Sequence, residues 1–354
     1  MAELRNLTSQ AELKKRLKAE TESRKTLSFY KYHPIGNPQE FRDEFYQQLE
    51  KLNALGRIYI AEEGINAQLS VPEKNFQNFL EYLDSIDFLR GVRLNIAVDD
   101  NGKSFWVLHI RVRKKIVADG IDDPTFSIEQ KGEYLNAREF NQLIEDPETA
   151  VVDMRNYYEY EVGHFENAIE IPSDTFREQL PLAVQMLQEK KDQNVVLYCT
   201  GGIRCEKASA YFLHHGFTKV FHLEGGIIQY VHSVKEEGLE NKFKGRNFVF
   251  DNRLGEQITE EIISHCHQCG EKCDSHHNCS NDNCHLLFIQ CKTCMEKFDG
   301  CCSKECEDEV ALTFGDQSRP TRQHDSFNNS RSRLRTRFFD ICRKGYHSLN
   351  IDES

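Results

Sequence analysis

The sequence predicts a multidomain α/β chain: an α+β sandwich in front, a parallel α/β sheet in the middle, and a cysteine-rich, metal-stapled region behind. Three observations predict it. Residues 26–118 pattern as strand–helix–strand–strand–helix–strand. Residues 119–245 pattern as short apolar strands separated by helices, which implies a parallel sheet. Ten of the 13 cysteines crowd between Cys266 and Cys306. A chain of 354 residues is long enough for two or three cores at roughly 150 residues each.

Residues 1–25 read as a charged, exposed helix or tail (Glu3, Arg5, Glu12, Lys14, Lys15, Arg16). Thr26 to Tyr32 reads as a strand. Asn37-Pro38 opens a helix that carries Phe41, Phe45, Leu49 and Leu52 on one face and stops at Gly56. Two strands, Arg57–Ala61 and Ile65–Val71, flank the turn Glu62-Glu63-Gly64. A helix after Pro72 turns Phe76, Phe79, Leu80 and Leu83 inward, and strands at 93–98 and 105–116 close the unit. This order is that of a ferredoxin-like (acylphosphatase-like) sandwich over 26–118.

In residues 119–245 the strands are Ala150–Asp153, Ala168–Pro172, Asn194–Tyr198 and Val220–Leu223. Asp174 to Lys190 reads as a helix split by Pro181. Another helix runs from about Cys205 to His215. Residues 246–310 form the cysteine-rich module, and 311–354 a basic tail rich in Arg, Ser and Asn.

No stretch approaches the ~20 apolar residues a membrane helix needs, and the charged N-terminus is no secretory signal. Both point to a soluble cytoplasmic protein. The net charge of −12 argues against a nucleic-acid binder on average, so basic patches must be sought segment by segment. Clustered CxxC pairs in such a chain read as metal ligands, and a lone cysteine after a strand reads as a candidate reactive thiol.

The sharpest local signal is Tyr198-Cys199-Thr200-Gly201-Gly202-Ile203-Arg204-Cys205. A strand delivers Cys199 to the carboxyl edge of a parallel sheet, where ligand sites of α/β folds sit. The two glycines let the amides of Thr200, Gly201, Gly202, Ile203 and Cys205 curl toward one spot. Such a nest favours thiolate over thiol, lowering a pKa near 8.5 by about one unit or more. Arg204 adds a fixed positive charge at the loop mouth. The competing reading makes Cys199 an inert strand-end residue. Cys205 either resolves a Cys199 intermediate as a disulfide or simply packs.

Residues 151–172, Val-Val-Asp-Met-Arg through Gly-His-Phe-Glu-Asn-Ala-Ile-Glu-Ile-Pro, resemble the rhodanese signature. Cys199 to Arg204 resembles the six-residue rhodanese active loop, and Leu223-Glu-Gly-Gly226 the family's closing motif. The resemblance spans about 130–240. It implies that Cys199 is a persulfide-forming nucleophile, that Asp153 and Arg155 brace the sheet, and that Gly163 and His164 form a structural turn. With Ala61-Glu-Glu-Gly-Ile-Asn-Ala67 in front and the cysteine cluster behind, the whole arrangement resembles the bacterial tRNA-uridine hydroxylase family over roughly 26–310. That resemblance implies O2-dependent conversion of uridine 34, the wobble base, to 5-hydroxyuridine. No glycine-rich dinucleotide fingerprint and no His/His/carboxylate iron triad is evident, so the electron donor is not legible. A thiolate or persulfide at Cys199 could add to C6 of the pyrimidine and make C5 nucleophilic.

Among the clustered cysteines, Cys266-x-x-Cys269 and Cys291-x-x-Cys294 are set to hold one metal. Cys279, Cys284, Cys302 and Cys306 are set to hold a second, interleaved with the first. Cys273, Cys301, His265, His267, His276 and His277 are possible substitutes. Large apolar residues here are few, chiefly Leu286, Leu287, Phe288, Ile289 and Phe298. Structural Zn²⁺ is therefore the leading reading, ahead of free or disulfide cysteines and an iron–sulfur cluster.

Two basic patches are candidate RNA contacts. Arg111, Arg113 and Lys115 would share one face of a strand. Residues 318–344, including Arg333, Arg335 and Arg337, carry eight basic residues against two acidic ones, interleaved with Phe327, Phe338, Phe339 and Tyr346. The competing reading of each is an ordinary charged surface. The sequence thus points to a tRNA-modifying enzyme acting on a flipped anticodon-loop base, with no membrane or DNA partner. A sulfurtransferase is the alternative. A zinc-containing RNA-binding adaptor is a third reading, disfavoured by the intact nucleophile position.

Overall fold

The computed structural model describes residues 4, 6, 8–100 and 102–314, and the chain divides into two compact units at Glu260/Glu261. Cys342 and the basic tail, with Arg333, Arg335 and Arg337, lie outside the described residues. No helix among the described residues is long and apolar enough to cross a membrane.

The first unit opens with helix α1 (Gln10–Ala19), capped by the Ser9 hydroxyl on the Glu12 amide at 3.3 Å. The sandwich follows in the expected order: β1 (Arg24–Tyr32), α2 (Pro38–Lys51), β2 (Leu55–Ala61), β3 (Gly64–Pro72), α3 (Phe76–Ser85) and β4 (Asn95–Ile96). A fifth strand, β5 (Leu108–Val112), lies parallel to β2 and extends the sheet to β4-β1-β3-β2-β5. Leu27, Phe29, Ile58, Ile60, Ala67 and Leu69 point to one face and pack on Phe45, Leu49, Phe79 and Leu83 of the helices. The period-two alternation then throws the polar residues Ser28, Tyr30, Asn66 and Gln68 onto the other face. Ser28 lies opposite Gln68 and Asn95, and Tyr30 opposite Asn66, which itself pairs with Tyr59.

The parallel sheet contains β6 (Glu133–Leu135), β7 (Ala150–Asp153), β9 (Ile169–Glu170), β10 (Asn194–Tyr198) and β11 (Lys219–Leu223) in the order β6-β11-β10-β7-β9. Between β7 and β9 come α5 (Tyr157–Val162) and β8 (Gly163–Phe165). Helices α4 (Ala137–Ile144), α6 (Phe176–Met186), α7 (Ile203–His214) and α8 (Gly226–Glu237) complete this layer. Val152, Leu197 and Val195 bury against α6 and α7, and Val151, Val196 and Tyr198 against α4 and α8. Both faces of the sheet are therefore covered, as the unbroken apolar strands demand.

Four local expectations change. Pro181 does not split its helix; α6 runs through it. The proline removes one intrahelical bond, to the carbonyl of Arg177 on the exposed face, where water can replace it. Helix α7 starts at Ile203, two residues early, because left-handed Gly202 occupies its cap. Gly163 and His164 form a strand rather than a turn: β8 pairs with β12 (Phe243–Asn247). A Cβ at Gly163 would sit 2.2 Å from the Arg246 carbonyl, so the close strand approach requires glycine. Finally, β12 and β13 (Glu256–Gln257) keep residues 246–260 with the first unit, so the cysteine-rich unit starts at Glu261 and not at 246.

The second unit carries the hairpin β14 (His276–Asn278) and β15 (Leu287–Ile289), then α9 (Lys292–Lys297) and α10 (Lys304–Phe314). Its small core joins Leu286 and Phe288 to Cys279, Cys284, Cys301, Cys302 and Cys306.

Candidate active site

Strand β10 ends at Tyr198 and delivers Cys199 to the edge of the parallel sheet. Residues Thr200 to Gly202 then turn the chain into α7. Gly202 adopts φ +95°, open to glycine at little cost, and its amide donates to the Cys199 sulfur at 3.1 Å. A Cβ at Gly226 would stand 2.4 Å from the Cys199 carbonyl, so the closing glycine lets α8 dock beneath the loop. Burial works to raise the Cys199 thiol. The Cys205 thiol, the Arg204 charge and the amides of Cys205 and Gly202 outweigh it, bringing the pKa from 9.0 to about 6. Cys205 moves the opposite way: burial and the neighbouring Cys199 push it well above the usual thiol range. One sulfur is thus an anion at neutral pH and the other a proton-bearing donor to it.

Arg204, expected as a fixed positive charge at the loop mouth, does not stand there alone. Its guanidinium forms a two-pronged pair with Glu159 of α5, at 2.7 and 2.8 Å, and the Thr200 hydroxyl lies within 3.4 Å of both partners. Glu159 is fully buried, so the arginine is held rigidly beside the sulfur. Asp153 and Arg155 form a second buried pair, 2.6 Å apart, and Arg155 also donates to the Gly163 carbonyl. The pair joins the end of β7 to β8. Gln179 donates to the Arg155 carbonyl at 2.5 Å. His164 stacks on Tyr160 and contacts its carbonyl through Nδ1 at 2.9 Å. Burial lowers its pKa, and it does not line the cavity described next.

The polar face of the front sheet forms a roof over this loop. Between them lies a cavity of about 380 Å³ lined by Cys199, Thr200, Gly201, Arg204, Ser28, Tyr30, Asn66, Gln68 and Asn95, and closed at the side by Val249–Arg253. That volume falls within the ~300–1,000 Å³ of small-molecule sites. Cys199 is 1% exposed and lines this cavity. The roof is tied down by contacts the sequence did not announce. Asn95 donates to the Gly201 carbonyl at 3.1 Å, the Tyr30 hydroxyl donates to Glu206 at 2.8 Å, and the Tyr32 hydroxyl donates to the Ile203 carbonyl at 3.3 Å. Lys207 of α7 bridges Glu63, at 2.6 Å, and Asp119. The signal was present in Ser28, Tyr30, Asn66 and Gln68. Alternating polar residues on a sheet ordinarily mean a solvated face, and only the partner domain turns that face into a site wall.

Of the candidate RNA contacts on the strand, Arg111 and Arg113 are exposed, and Arg113 lies over the Tyr59 ring. Lys115 does not share their face. Strand β5 ends at Val112, and the Lys115 ammonium turns to Asp119 at 2.6 Å.

In the second unit the thiols gather as expected from their spacing. Cys266, Cys269, Cys291 and Cys294 form one set, and Cys279, Cys284, Cys302 and Cys306 the other, with sulfurs within 4.8 Å of one another in each. Tetrahedral coordination at a metal–sulfur distance of about 2.3 Å puts sulfurs about 3.8 Å apart. Cys269 and Cys291 stand at 3.6 Å, and Cys284–Cys302 and Cys302–Cys306 at 3.7 Å. Amides of Cys291, Cys294 and Cys302 donate to ligand sulfurs at 3.3–3.5 Å, as thiolates require. Both sets fit a four-coordinate metal ion. Cys273, Cys301 and the four nearby histidines belong to neither set.

An amide-lined cysteine loop on a parallel sheet, reached through an acylphosphatase-like sheet, defines a protein built on a rhodanese domain. Residues 136–233 match the rhodanese-like domain family, 24–116 the UPF0176 acylphosphatase like domain, and 244–307 the rhodanase C-terminal family. A protein from Enterobacter sp. (strain 638) named tRNA uridine(34) hydroxylase is 59% identical over 342 residues, covering 95% of this chain and 98% of the relative. One of the same name from Pectobacterium carotovorum is 61% identical over 318 residues, covering 90% of each. A solved rhodanese-like domain from Anabaena sp. is 21% identical, covering 32% of this chain and 78% of that one, with a TM-score of 0.26. The chain belongs to the tRNA uridine(34) hydroxylase family.

Proposed function

We propose that this chain hydroxylates uridine 34 of tRNA at C5, using O2, with Cys199 as the reactive residue. The observation that carries this reading is a buried sulfur, held by the Gly202 amide at 3.1 Å, facing a cavity of about 380 Å³ whose largely apolar walls carry the polar groups of Ser28, Tyr30, Asn66, Gln68 and Asn95. The name shared by relatives at 59–61% identity supplies the substrate. The Cys199 thiolate adds to C6 of the uracil ring. A C6–S bond forms, and the C5–C6 π pair moves onto C5 and the O4 carbonyl. C5 then attacks the oxidant, and loss of the C5 proton expels the thiolate. Desolvation of the buried sulfur sharpens the nucleophile, and Arg204, locked by Glu159, holds positive charge beside it without reorganising.

The tRNA reaches this cavity through an extruded anticodon-loop base, which is least costly to flip from a single-stranded loop. Arg111, Arg113 and the tail arginines 333, 335 and 337 supply phosphate contacts. The two four-thiol sets hold structural Zn²⁺, which fastens a unit with little apolar core.

Nucleoside mass spectrometry of tRNA from a deletion strain carrying wild-type or Cys199→Ser protein tests the reading. Wild type is expected to restore 5-hydroxyuridine derivatives and the variant to leave them absent. Undiminished 5-hydroxyuridine with the variant eliminates the mechanism. Loss of thiouridine instead supports sulfur transfer, and no change supports an adaptor.

A further inference from the structure

The uridine step leaves an electron balance open. Converting C5–H to C5–OH removes two electrons from the base, whereas O2 that ends as one hydroxyl oxygen and one water accepts four. Two electrons and two protons must come from another group. Two thiols closing to a disulfide release that number.

The fold places two thiols at the reaction centre. Cys199 ends β10, and Cys205 lies in the first turn of α7. The left-handed turn at Gly202 folds the helix back beneath the sulfur, with the Cys205 amide bonded to the Gly202 carbonyl at 3.0 Å. Both cysteines are buried in the same core cluster, and neither is in a disulfide. The Gly202 amide holds the Cys199 sulfur at 3.1 Å, and the same glycine's carbonyl accepts from Cys205, so one residue links the two cysteines. Cys199 lines the cavity and Cys205 does not. The base therefore meets only the first sulfur, and the second is reached through it.

We propose that Cys199 and Cys205 form a dithiol that supplies the two missing electrons, with Cys205 as the resolving thiol of each turnover. This rests on the hydroxylation reading. Cys199 adds to C6, and the C5 carbanion bonds O2, taking a proton to give a C5 hydroperoxide. Loss of the C5 proton breaks the C6–S bond and frees the Cys199 thiolate. That thiolate attacks the outer peroxide oxygen. The O–O bond breaks, leaving Cys199 as sulfenic acid and the base as 5-hydroxyuridine after protonation. The Cys205 sulfur then attacks the Cys199 sulfur, water leaves, and the disulfide closes. The sum is C5–H, O2 and two thiols giving C5–OH, water and one disulfide. An external thiol reductant reopens the disulfide for the next cycle.

The test is a single-turnover experiment on the full chain, reduced, freed of reductant under argon, and mixed with tRNA in oxygenated buffer. The reaction is stopped with an alkylating agent, and 5-hydroxyuridine and disulfide are counted by mass spectrometry. One 5-hydroxyuridine per chain is expected, matched by one Cys199–Cys205 disulfide, with further product only after a thiol reductant is added. Cys205→Ser is expected to complete one turnover and leave a Cys199 sulfenic acid that a dione probe captures, with multiple turnover slowed at least tenfold. Product exceeding one per chain without reductant, or product formed with Cys199 and Cys205 still reduced, overturns the proposal, and the wild-type count alone decides it. No 5-hydroxyuridine from the wild type even with thiol and O2 present overturns the hydroxylation reading beneath it.

Discussion

At Cys199 two opposed effects meet, and their magnitudes decide the chemistry. Burial favours the neutral thiol, while the Gly202 and Cys205 donors and the Arg204 charge favour the anion and win, leaving a pKa of about 6. The thiolate fraction rises with pH, so alkylation of Cys199 in the full chain is expected to accelerate through pH 6 and level off above about pH 7. Arg204→Lys removes the two-pronged contact with Glu159 and moves that midpoint toward the ordinary thiol value near 8.5. A midpoint that stays near 6 in this variant would show that the sulfur ionises without the guanidinium pair to Glu159. Gly202→Ala meets both a left-handed φ of +95° and the Tyr30 hydroxyl 2.9 Å from the new Cβ. The backbone cost alone is ~1–2 kcal/mol, so a loss of about tenfold or more in turnover is expected, read by 5-hydroxyuridine yield. The motif around Cys199 was legible in the sequence because a strand end, two glycines and a helix start lie within eight residues. Glu159 was not. It sits 45 residues from Arg204, and no local pattern links them.

At the scale of elements, the sequence reports periodicity well and partnership poorly. Strands β1, β3, β7, β10 and β11 lie where the apolar patterns put them, because each buries at least one face. The three-residue strands β6 and β8 are too short for a period to show, and β12 (Phe-Lys-Gly-Arg-Asn) carries a single large apolar residue. The polar face of the front sheet was visible as alternation, but its role depends on the loop it covers. Lys207 carries that contact, between the Glu63 turn and the Asp119 linker. Lys207→Met leaves Asp119 buried with Lys115 as its remaining cationic partner. A destabilisation of about 3–5 kcal/mol is expected, read by urea unfolding, together with faster alkylation of Cys199 as the roof loosens. A change under 1 kcal/mol with unaltered alkylation would remove the bridge from this role. His222 of β11 tests the parallel sheet by pH. Burial lowers its pKa from 6.5 to about 4. Because the folded chain resists protonation there, stability is complete above pH 6.5 and falls as pH drops from 6.5 toward 4, by about 3 kcal/mol. His222→Phe, which keeps an aromatic ring against Tyr134, is expected to flatten that limb; an unchanged acid limb would assign it to other groups.

At the scale of the molecule, basic residues and cysteines are concentrated in separate segments. The chain is acidic overall at −12, yet residues 318–344 hold eight basic residues against two acidic ones. An acidic enzyme approaches tRNA productively only if its positive charge is concentrated, since affinity falls with salt in proportion to the phosphates neutralised. One segment thus concentrates charge, another concentrates thiols, and the reactive sulfur belongs to neither, so each can be altered and read separately. Truncation after Phe314 removes the tail and leaves both four-thiol sets intact. Metal analysis is expected to find two zinc ions per chain in both forms, and Cys291→Ser one. The tRNA affinity of the truncated chain is expected to fall, and its log–log salt slope to flatten by several units, at roughly 0.7–0.9 for each phosphate no longer neutralised. Cys199 alkylation should be unchanged, because the loop and its roof lie wholly within residues 26–256. A truncated chain with the same salt slope would transfer the phosphate contacts to Arg111 and Arg113, and Arg111→Ala/Arg113→Ala in that background would then have to flatten it.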